Sequence, residues 1–462
     1  MQSSPTQPVT ISIADLRAAV QCPVIAPDDP EYDVTRRVFM GDVDRRPAAI
    51  VRVANADDVA RVIDVARATG VELAVRAGGH SVGLSTTDGG LVIDLRDMKA
   101  IDLDQDARTV WAEAGLTASE LTTATAAHGL AVGFGDTGSV GIAGITLGGG
   151  IGYMVRKHGL TIDSLLAAEI VTADGKLRHV DEEHEPDLFW AIRGGGGNFG
   201  VVTRFRYRLQ DVREVVGGML ILPATPEIIE GFIAAAEAAP EELSTIANVM
   251  PAPPMPFLPE EHHGKLIVLA FVAHVGDVAA GERAMAPFRA LATPLVDMVA
   301  PMQYADIYPP EDPDYAPMPV QRTMFVDRID RAAARTIVEF LEASDAPLRA
   351  AQLRVLGGAM ARVPADATAF AHRTSRILAV LVNFYDRTPE DRARRQVWAD
   401  DFATALRQSD DGAYVNFLGD RAEAGVRAAY PDGTWDRLVA IKKRYDPTNL
   451  FRLNQNVPPA ED

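Results

Sequence analysis

The sequence predicts an α+β chain of more than one domain, and three observations predict it. Short runs of apolar and β-branched residues alternate with capped helical patterns from residue 48 onward. Glycine is concentrated in three ordered clusters before residue 203; near residue 215 that signal fades and longer strands and helices begin to alternate. The 462 residues suit two or three domains at roughly 150 residues each, and 47% hydrophobic content supplies their cores.

Residues 1–34 read as an N-terminal helical segment that holds Cys22, the one cysteine of the chain. A first domain spans 35–215. Within it Ala48 to Val53 reads as a strand, and Asn55 caps a helix whose apolar positions Val59, Val62, Ile63 and Ala66 end at Gly70. Leu73-Ala74-Val75 is the next strand, completing a β-α-β start. Leu91 to Leu95 and Val110 to Ala114 extend a sheet, and Thr117 to His128 forms a helix stopped by Gly129. A second lobe follows, in which Glu169 to Thr172 and Leu177 to Val180 flank Ala173-Asp174-Gly175-Lys176, a hairpin signal because Asp-Gly accepts positive φ.

A second domain, 216–410, is α+β: strands Leu266 to Phe271 and Ile377 to Phe384 alternate with helices Ala332 to Ala343 and Pro389 to Arg407. The proline-rich stretches Met250 to Pro259 and Tyr308 to Tyr315 read as rim loops of a site. Residues 411–462 form a C-terminal segment in which Ala413 to Phe417 reads as a strand, with Tyr414 and Asn416 on one face by period-two alternation.

Four segments carry the chemistry. Arg76-Ala77-Gly78-Gly79-His80-Ser81 ends a strand with an imidazole behind two glycines, whose main-chain N–H groups make an anion cradle suited to a pyrophosphate. Taken alone it is equally a strand-to-turn glycine pair beside a satisfied histidine. Gly133 to Tyr153 is too rich in glycine for an ordinary helix or strand and suits a large flat ligand. It contains G-x-G-x-x-G at Gly133 to Gly138, but the glycines continue to Gly152 instead of opening a plain helix, so a Rossmann unit is rejected. Arg193 to Val202 is the third segment, and Tyr445-Asp446-Pro447-Thr448-Asn449 to Asn456 the fourth.

In order and spacing, these segments resemble the vanillyl-alcohol-oxidase (PCMH-type FAD-binding) family and, within it, the berberine-bridge-enzyme-like FAD-linked oxidases. The resemblance implies a two-lobed FAD domain, a substrate domain with an antiparallel sheet, and a C-terminal segment that returns to the FAD domain. It makes His80 the covalent ligand of the flavin. FAD is then held by Val75, Arg76, Ala77, Gly78, Gly79, Ser81 and Leu84; by Thr137, Gly138, Val140, Gly141, Ile142, Ala143, Gly144, Leu147, Gly148, Gly149, Gly150, Gly152 and Tyr153; by Gly200, Val201 and Val202; and by Asn454 and Asn456. Thr137 stands where many relatives carry a second, cysteinyl attachment, so one bond is expected. Val140 occupies the position beside the flavin carbon that dioxygen attacks, where valine accompanies oxidase behaviour; it is also read as a core residue.

The family's Y-x-N element corresponds to Tyr414 and Asn416, with Tyr414 as the base, or alternatively a buried tyrosine satisfied by one hydrogen bond. Sugar-oxidising relatives pair that tyrosine with an aspartate on a strand ending in Gly-Gly; here Gln352 to Gly358 offers Arg354 instead, able to lower the phenol pKa, to clamp a substrate carboxylate, or to sit in solvent. Gln352 and His372 complete the candidate pocket. A small-molecule alcohol or amine is the expected substrate and O2 the expected acceptor. A flavin dehydrogenase and a non-catalytic flavin-binding protein are the competing readings.

Composition excludes other classes. With 45 basic against 64 acidic side chains, net charge -19, and no basic patch, nucleic acid is not an expected partner. No run approaches the roughly 20 apolar residues of a membrane span, the start lacks a leader pattern, and a lone cysteine forms no internal disulfide, so a cytoplasmic location is expected. His128, His158, His179, His184, His262, His263 and His274 form no metal-ligand spacing, so no metal is expected, and no G-x-S-x-G elbow marks a hydrolase.

Overall fold

The structure, a computed structural model, describes residues 11–81, 85–312, 314–419 and 423–461. The first sheet has four strands in the order Val24–Ile25, Ala49–Arg52, Leu91–Asp94, Leu73–Arg76, the last three parallel. The helix Ala56–Thr69 is the crossover from Ala49–Arg52 to the parallel strand Leu73–Arg76, with Leu91–Asp94 later inserted between the two. The Asn55 side chain accepts from the Asp58 N–H at 2.9 Å, Val59, Val62, Ile63 and Ala66 are all fully buried, and Gly70 closes the helix at φ +73°. Each large apolar side chain so buried contributes about 1.5–3 kcal/mol.

The second sheet is antiparallel, in the order Ile101–Asp104, Thr109–Glu113, Val201–Arg208, Leu165–Val171, Leu177–Val180. The expectation that Leu91–Leu95 and Val110–Ala114 extend one sheet is therefore corrected. Ile101–Asp104 and Thr109–Glu113 are joined by a connection too short for a parallel crossover, so they pair antiparallel and start a new sheet. The Asp-Gly hairpin forms with Gly175 at φ +77°.

An eight-stranded antiparallel sheet runs from Glu214 to Phe384, with the order Val296–Asp297, Glu214–Pro223, Leu266–His274, Leu243–Pro251, Arg349–Val355, Ile377–Phe384, Pro319–Val326; Ala300–Gln303 also pairs with Glu214–Pro223. Its two faces explain the unbroken apolar run at Ile377–Phe384. Ile377, Ala379 and Leu381 pack with helices such as Arg331–Ala343 and Pro389–Leu406, while Leu378 and Val380 pack on the other side with Ile151, Val155, Leu160 and Tyr414 from the glycine-rich domain and the C-terminal segment. Register places Gln352 opposite Val380 and Arg354 opposite Leu378.

Two local expectations are corrected. The helix Ile13–Ala19 ends before Cys22: its C-cap Val20 is already extended, at φ -114° and ψ 154°. Ala413–Phe417 is not a strand: Tyr414 is extended, Val415–Phe417 is a 3-10 turn, and the Ala413 N–H donates to Ala428 O at 3.1 Å rather than to a sheet neighbour.

The C-terminal segment is anchored by a buried ion pair. Lys442 Nζ donates to Asp446 Oδ2 at 2.7 Å, Asn198 O at 2.7 Å and Phe451 O at 2.9 Å, and Asp446 accepts the N–H groups of Leu450 and Phe451 at 2.8 and 2.9 Å. Both side chains are fully buried. Lys442→Met leaves that carboxylate unpaired and is expected to cost about 3–5 kcal/mol in urea denaturation, whereas Arg437→Ala, which breaks an exposed pair with Asp187, costs less than about 1 kcal/mol. Equal effects would contradict the anchoring role.

Candidate active site

A cavity of about 360 Å³ lies where the four motif segments converge. The His80 loop is held by contact of bare main chain: a Cβ on Gly78 would lie 2.3 Å from Gly141 N, and Gly79 turns at φ +76°. His80 is stacked on Phe39, ring centroids 4.0 Å apart, and its Nε2 lies 2.9 Å from Ser139 Oγ. Burial pushes the His80 imidazolium below its ordinary pKa, against the opposing charge of Glu311, so the ring is neutral at pH 7.

The expected cofactor residues divide into two groups. Val75, Ala77, Gly78, Gly79, His80, Ser81, Thr137, Val140, Gly141, Ala143, Gly144, Leu147, Gly200, Val201, Val202 and Asn454 line the cavity. Arg76, Gly138, Ile142, Gly148, Gly149, Gly150, Gly152, Tyr153 and Asn456 do not, and Leu84 lies outside the described residues. The reason is packing. Arg76 forms a buried ion pair at 2.8 Å with Asp94, its register partner. Ile142 is a core residue, and Gly138 abuts Ser119 and Tyr308. Gly148, Gly149, Gly150 and Gly152 abut Asn416, Phe370, Thr161 and the Phe134 carbonyl, so their missing side chains make room for protein. Tyr153 is buried among Met154, Val212 and Tyr304.

The remaining wall fits a dinucleotide flavin. Gly144 and Gly197 line the cavity with nothing closer than 4.0 Å to a Cβ built there, so a side chain would project into the space. Asn454 Oδ1 and Ser85 Oγ are buried on this wall without a hydrogen-bond partner among the described residues, as groups awaiting a ligand are. Sequence reasoning missed Phe39, Met40, Asp136, Ile151, Gly196, Gly197, Gln321 and Phe417, which also line the cavity. A signal existed for two kinds: a lone carboxylate in a glycine run needs a partner, and Gly196 and Gly197 belong to the third cluster. Phe39, Met40 and Gln321 are brought in only by tertiary folding.

Tyr414 and Asn416 line the cavity, and the turn that replaces the expected strand still joins them, Asn416 Nδ2 donating to the Tyr414 hydroxyl oxygen at 2.9 Å. That oxygen also accepts the N–H groups of Gly150 at 3.0 Å and Ile151 at 3.3 Å. Burial leaves the phenol pKa above its ordinary value, although the three donors and the Arg354 charge pull it down. Arg354 itself is 3% exposed. Its donors go to Asp136 Oδ2 at 2.8 Å, Gln352 Oε1 at 2.7 and 2.9 Å and Ile151 O at 3.2 Å, and Gln352 donates to Asn248 Oδ1 at 3.0 Å. Arg354 is therefore neither a solvated residue nor a free carboxylate clamp. Gln352 and Arg354 stand behind the lining. His372 does not join the pocket: its Nε2 is paired with Ala429 O at 3.1 Å and its ring packs 5.0 Å from Phe325.

One metal-type cluster was not expected. His179, Asp181 and His184 bring three ligand atoms within 4.8 Å, but none lines the cavity, and Asp181 is engaged by the N–H groups of Glu183 and His184 as well as both rings. Of the two rim loops, Tyr308–Tyr315 reaches the site through Glu311 and Tyr315; in the other, Ala252, Met255 and Leu258 pack together on the strand Leu266–His274 and do not line the cavity. No helix among the described residues is long and apolar enough to cross a membrane.

Residues 47–181 match the family described as FAD binding domain, and residues 413–458 that described as berberine and berberine like. The chain is 28% identical to (R)-6-hydroxynicotine oxidase of Paenarthrobacter nicotinovorans, covering 96% of this chain and 97% of the relative, and 30% identical to the FAD-linked oxidoreductase YgaK of Bacillus subtilis, covering 94% and 96%. Among solved structures, 6-hydroxy-D-nicotine oxidase from Arthrobacter nicotinovorans superposes with a TM-score of 0.85 at 27% identity, over 96% of this chain and 98% of that one. Xylooligosaccharide oxidase from Myceliophthora thermophila, in complex with xylobiose, gives 0.83 at 26% identity over 97% and 99%. By motif order, fold and full-length similarity, the chain belongs to the berberine-bridge-enzyme-like FAD-linked oxidoreductases and is an FAD-dependent enzyme.

Proposed function

We propose that this enzyme is an oxidase that holds FAD through one covalent bond to His80, oxidises a small-molecule alcohol or amine, and passes the electrons to O2. The observation that carries the catalytic reading is the Tyr414 hydroxyl oxygen, which receives three N–H donors while its own proton has no acceptor among the described residues. These donors favour the phenolate, against the burial that leaves the phenol pKa above its ordinary value. FAD, when bound, supplies the acceptor for a hydride from a substrate C–H bond. Tyr414 as the phenolate takes the proton of the substrate hydroxyl or amine; Asn416 and the Gly150 and Ile151 N–H groups hold that phenolate before the transfer, and Arg354 adds a buried positive charge behind it.

The single attachment rests on composition and place. Thr137 lines the cavity where a second thioether would originate, and Cys22 is elsewhere, its thiol pushed up to about 11 by burial. The oxidase reading rests on Val140 in the cavity wall and on relatives described as oxidases of 6-hydroxynicotine and xylooligosaccharide.

Three outcomes test this reading. The acid-precipitated protein shows a fluorescent flavin band on a denaturing gel, and His80→Ala loses it; a colourless wild-type pellet rejects the covalent bond. With whichever alcohol or amine bleaches the flavin anaerobically, Tyr414→Phe slows bleaching by about 10²–10⁴-fold. Because the base works deprotonated, the wild-type rate rises with pH, and Arg354→Met moves that rise to higher pH by removing the charge that lowers the phenol pKa; an unmoved profile removes Tyr414 from the role. Finally, the substrate-reduced enzyme is reoxidised rapidly by air in stopped flow, and Val140→Leu slows that step; slow wild-type recovery marks a dehydrogenase instead.

A further inference from the structure

Glu311, from the loop after Tyr308, crosses from the substrate domain to Ser139 in the glycine-rich segment, which in turn meets His80. One carboxylate oxygen accepts the Ser139 N–H at 2.9 Å, and the other accepts the Ser139 hydroxyl. A serine hydroxyl has one proton to donate, and a carboxylate only accepts. With that proton committed to Glu311, Ser139 Oγ faces His80 Nε2 at 2.9 Å as an acceptor, so Nε2 carries the hydrogen. Nδ1 then holds the ring's lone pair, and no hydrogen bond occupies it among the described residues. Phe39 stacked on the ring and the close contact of Gly78 with Gly141 keep the imidazole in this orientation.

We infer that Glu311 and Ser139 are positioning residues for flavin attachment: they hold His80 as the Nε2–H tautomer, direct the covalent bond to Nδ1, and take up the proton that bond formation releases. The inference rests on the covalent reading proposed above. The balance is complete. A bond forms between Nδ1 and the flavin 8α carbon, and one methyl C–H bond breaks, its proton leaving to solvent water. The Nε2 proton passes through Ser139 Oγ to the Glu311 carboxylate. The electron pair stays on the flavin ring, from which dioxygen, the acceptor of the proposed activity, removes it. Glu311 therefore acts before turnover, in maturation, and a loop of the substrate domain takes part in loading the cofactor of its neighbour.

The test uses the full-length chain expressed under riboflavin limitation and then incubated with FAD in air. Covalent incorporation is followed by in-gel flavin fluorescence and intact mass, and non-covalent binding by the visible spectrum of the desalted protein before acid treatment. Glu311→Gln and Ser139→Ala are expected to retain bound FAD yet form the bond about a hundredfold more slowly. Glu311→Asp, which keeps the charge, is expected to recover part of the rate at raised pH. Two-dimensional NMR of the wild-type flavinyl peptide is expected to show the 8α methylene correlated with the imidazole carbons flanking Nδ1. Attachment at Nε2, or wild-type incorporation rates in both Glu311→Gln and Ser139→Ala, overturns the inference while the covalent reading stands. Wild-type protein that binds FAD without ever forming the bond overturns the covalent reading itself, and the inference with it.

Discussion

The arrangement of this enzyme depends on main chain meeting main chain. Gly78 and Gly141 approach so closely that a Cβ on either would lie within 2.4 Å of the other's backbone nitrogen. The His80 end of the cavity follows from that contact. It brings the loop after the strand Leu73–Arg76 against the segment carrying Ser139 and Val140, so an imidazole from one sheet and a hydroxyl from another strand-to-helix connection share a hydrogen bond. A single methyl group at either position would separate them.

The opposite end of the cavity depends on charge rather than on contact. The large antiparallel sheet presents Arg354 toward the glycine-rich domain, and Asp136 answers it from inside a run of glycines. Taking the Arg354 guanidinium out of water is costly, and the cost is offset here by its bonds to Gln352, the Ile151 carbonyl and the partly exposed Asp136. What the pair provides is position: it locks the substrate domain to the segment whose Gly150 and Ile151 N–H groups point at Tyr414, and it places a fixed positive charge near that phenol.

Elements with strong local signals were legible. The helix Ala56–Thr69 was readable from Asn55 to Gly70 because cap, apolar spacing and stop all agree, and the Asp174-Gly175 hairpin because its backbone geometry is written into two residues. Ala413–Phe417 was misread because a five-residue apolar and aromatic run satisfies strand patterning whether or not a partner strand exists; here the segment meets a helix and turns. The glycine run is legible as a place of close approach, but which of its glycines face the cavity and which face protein is not. Glycine reports only that something comes close, and from Gly148 to Gly152 that something is Asn416, Phe370, Thr161 and Phe134.

By itself the sequence determined the residues available for chemistry: which stand at the histidine loop, that Thr137 and not a cysteine follows Asp136, and that Tyr414 and Asn416 travel together. These are local properties, set by residue type and by neighbours a few positions away. The tertiary structure alone decided which groups act on one another. Glu311 is 172 residues from Ser139, and Arg354 is 218 from Asp136, so nothing in local pattern pairs them. Protonation states and charge compensation depend on distance in space, and that distance exists only once the two sheets have closed on the cavity.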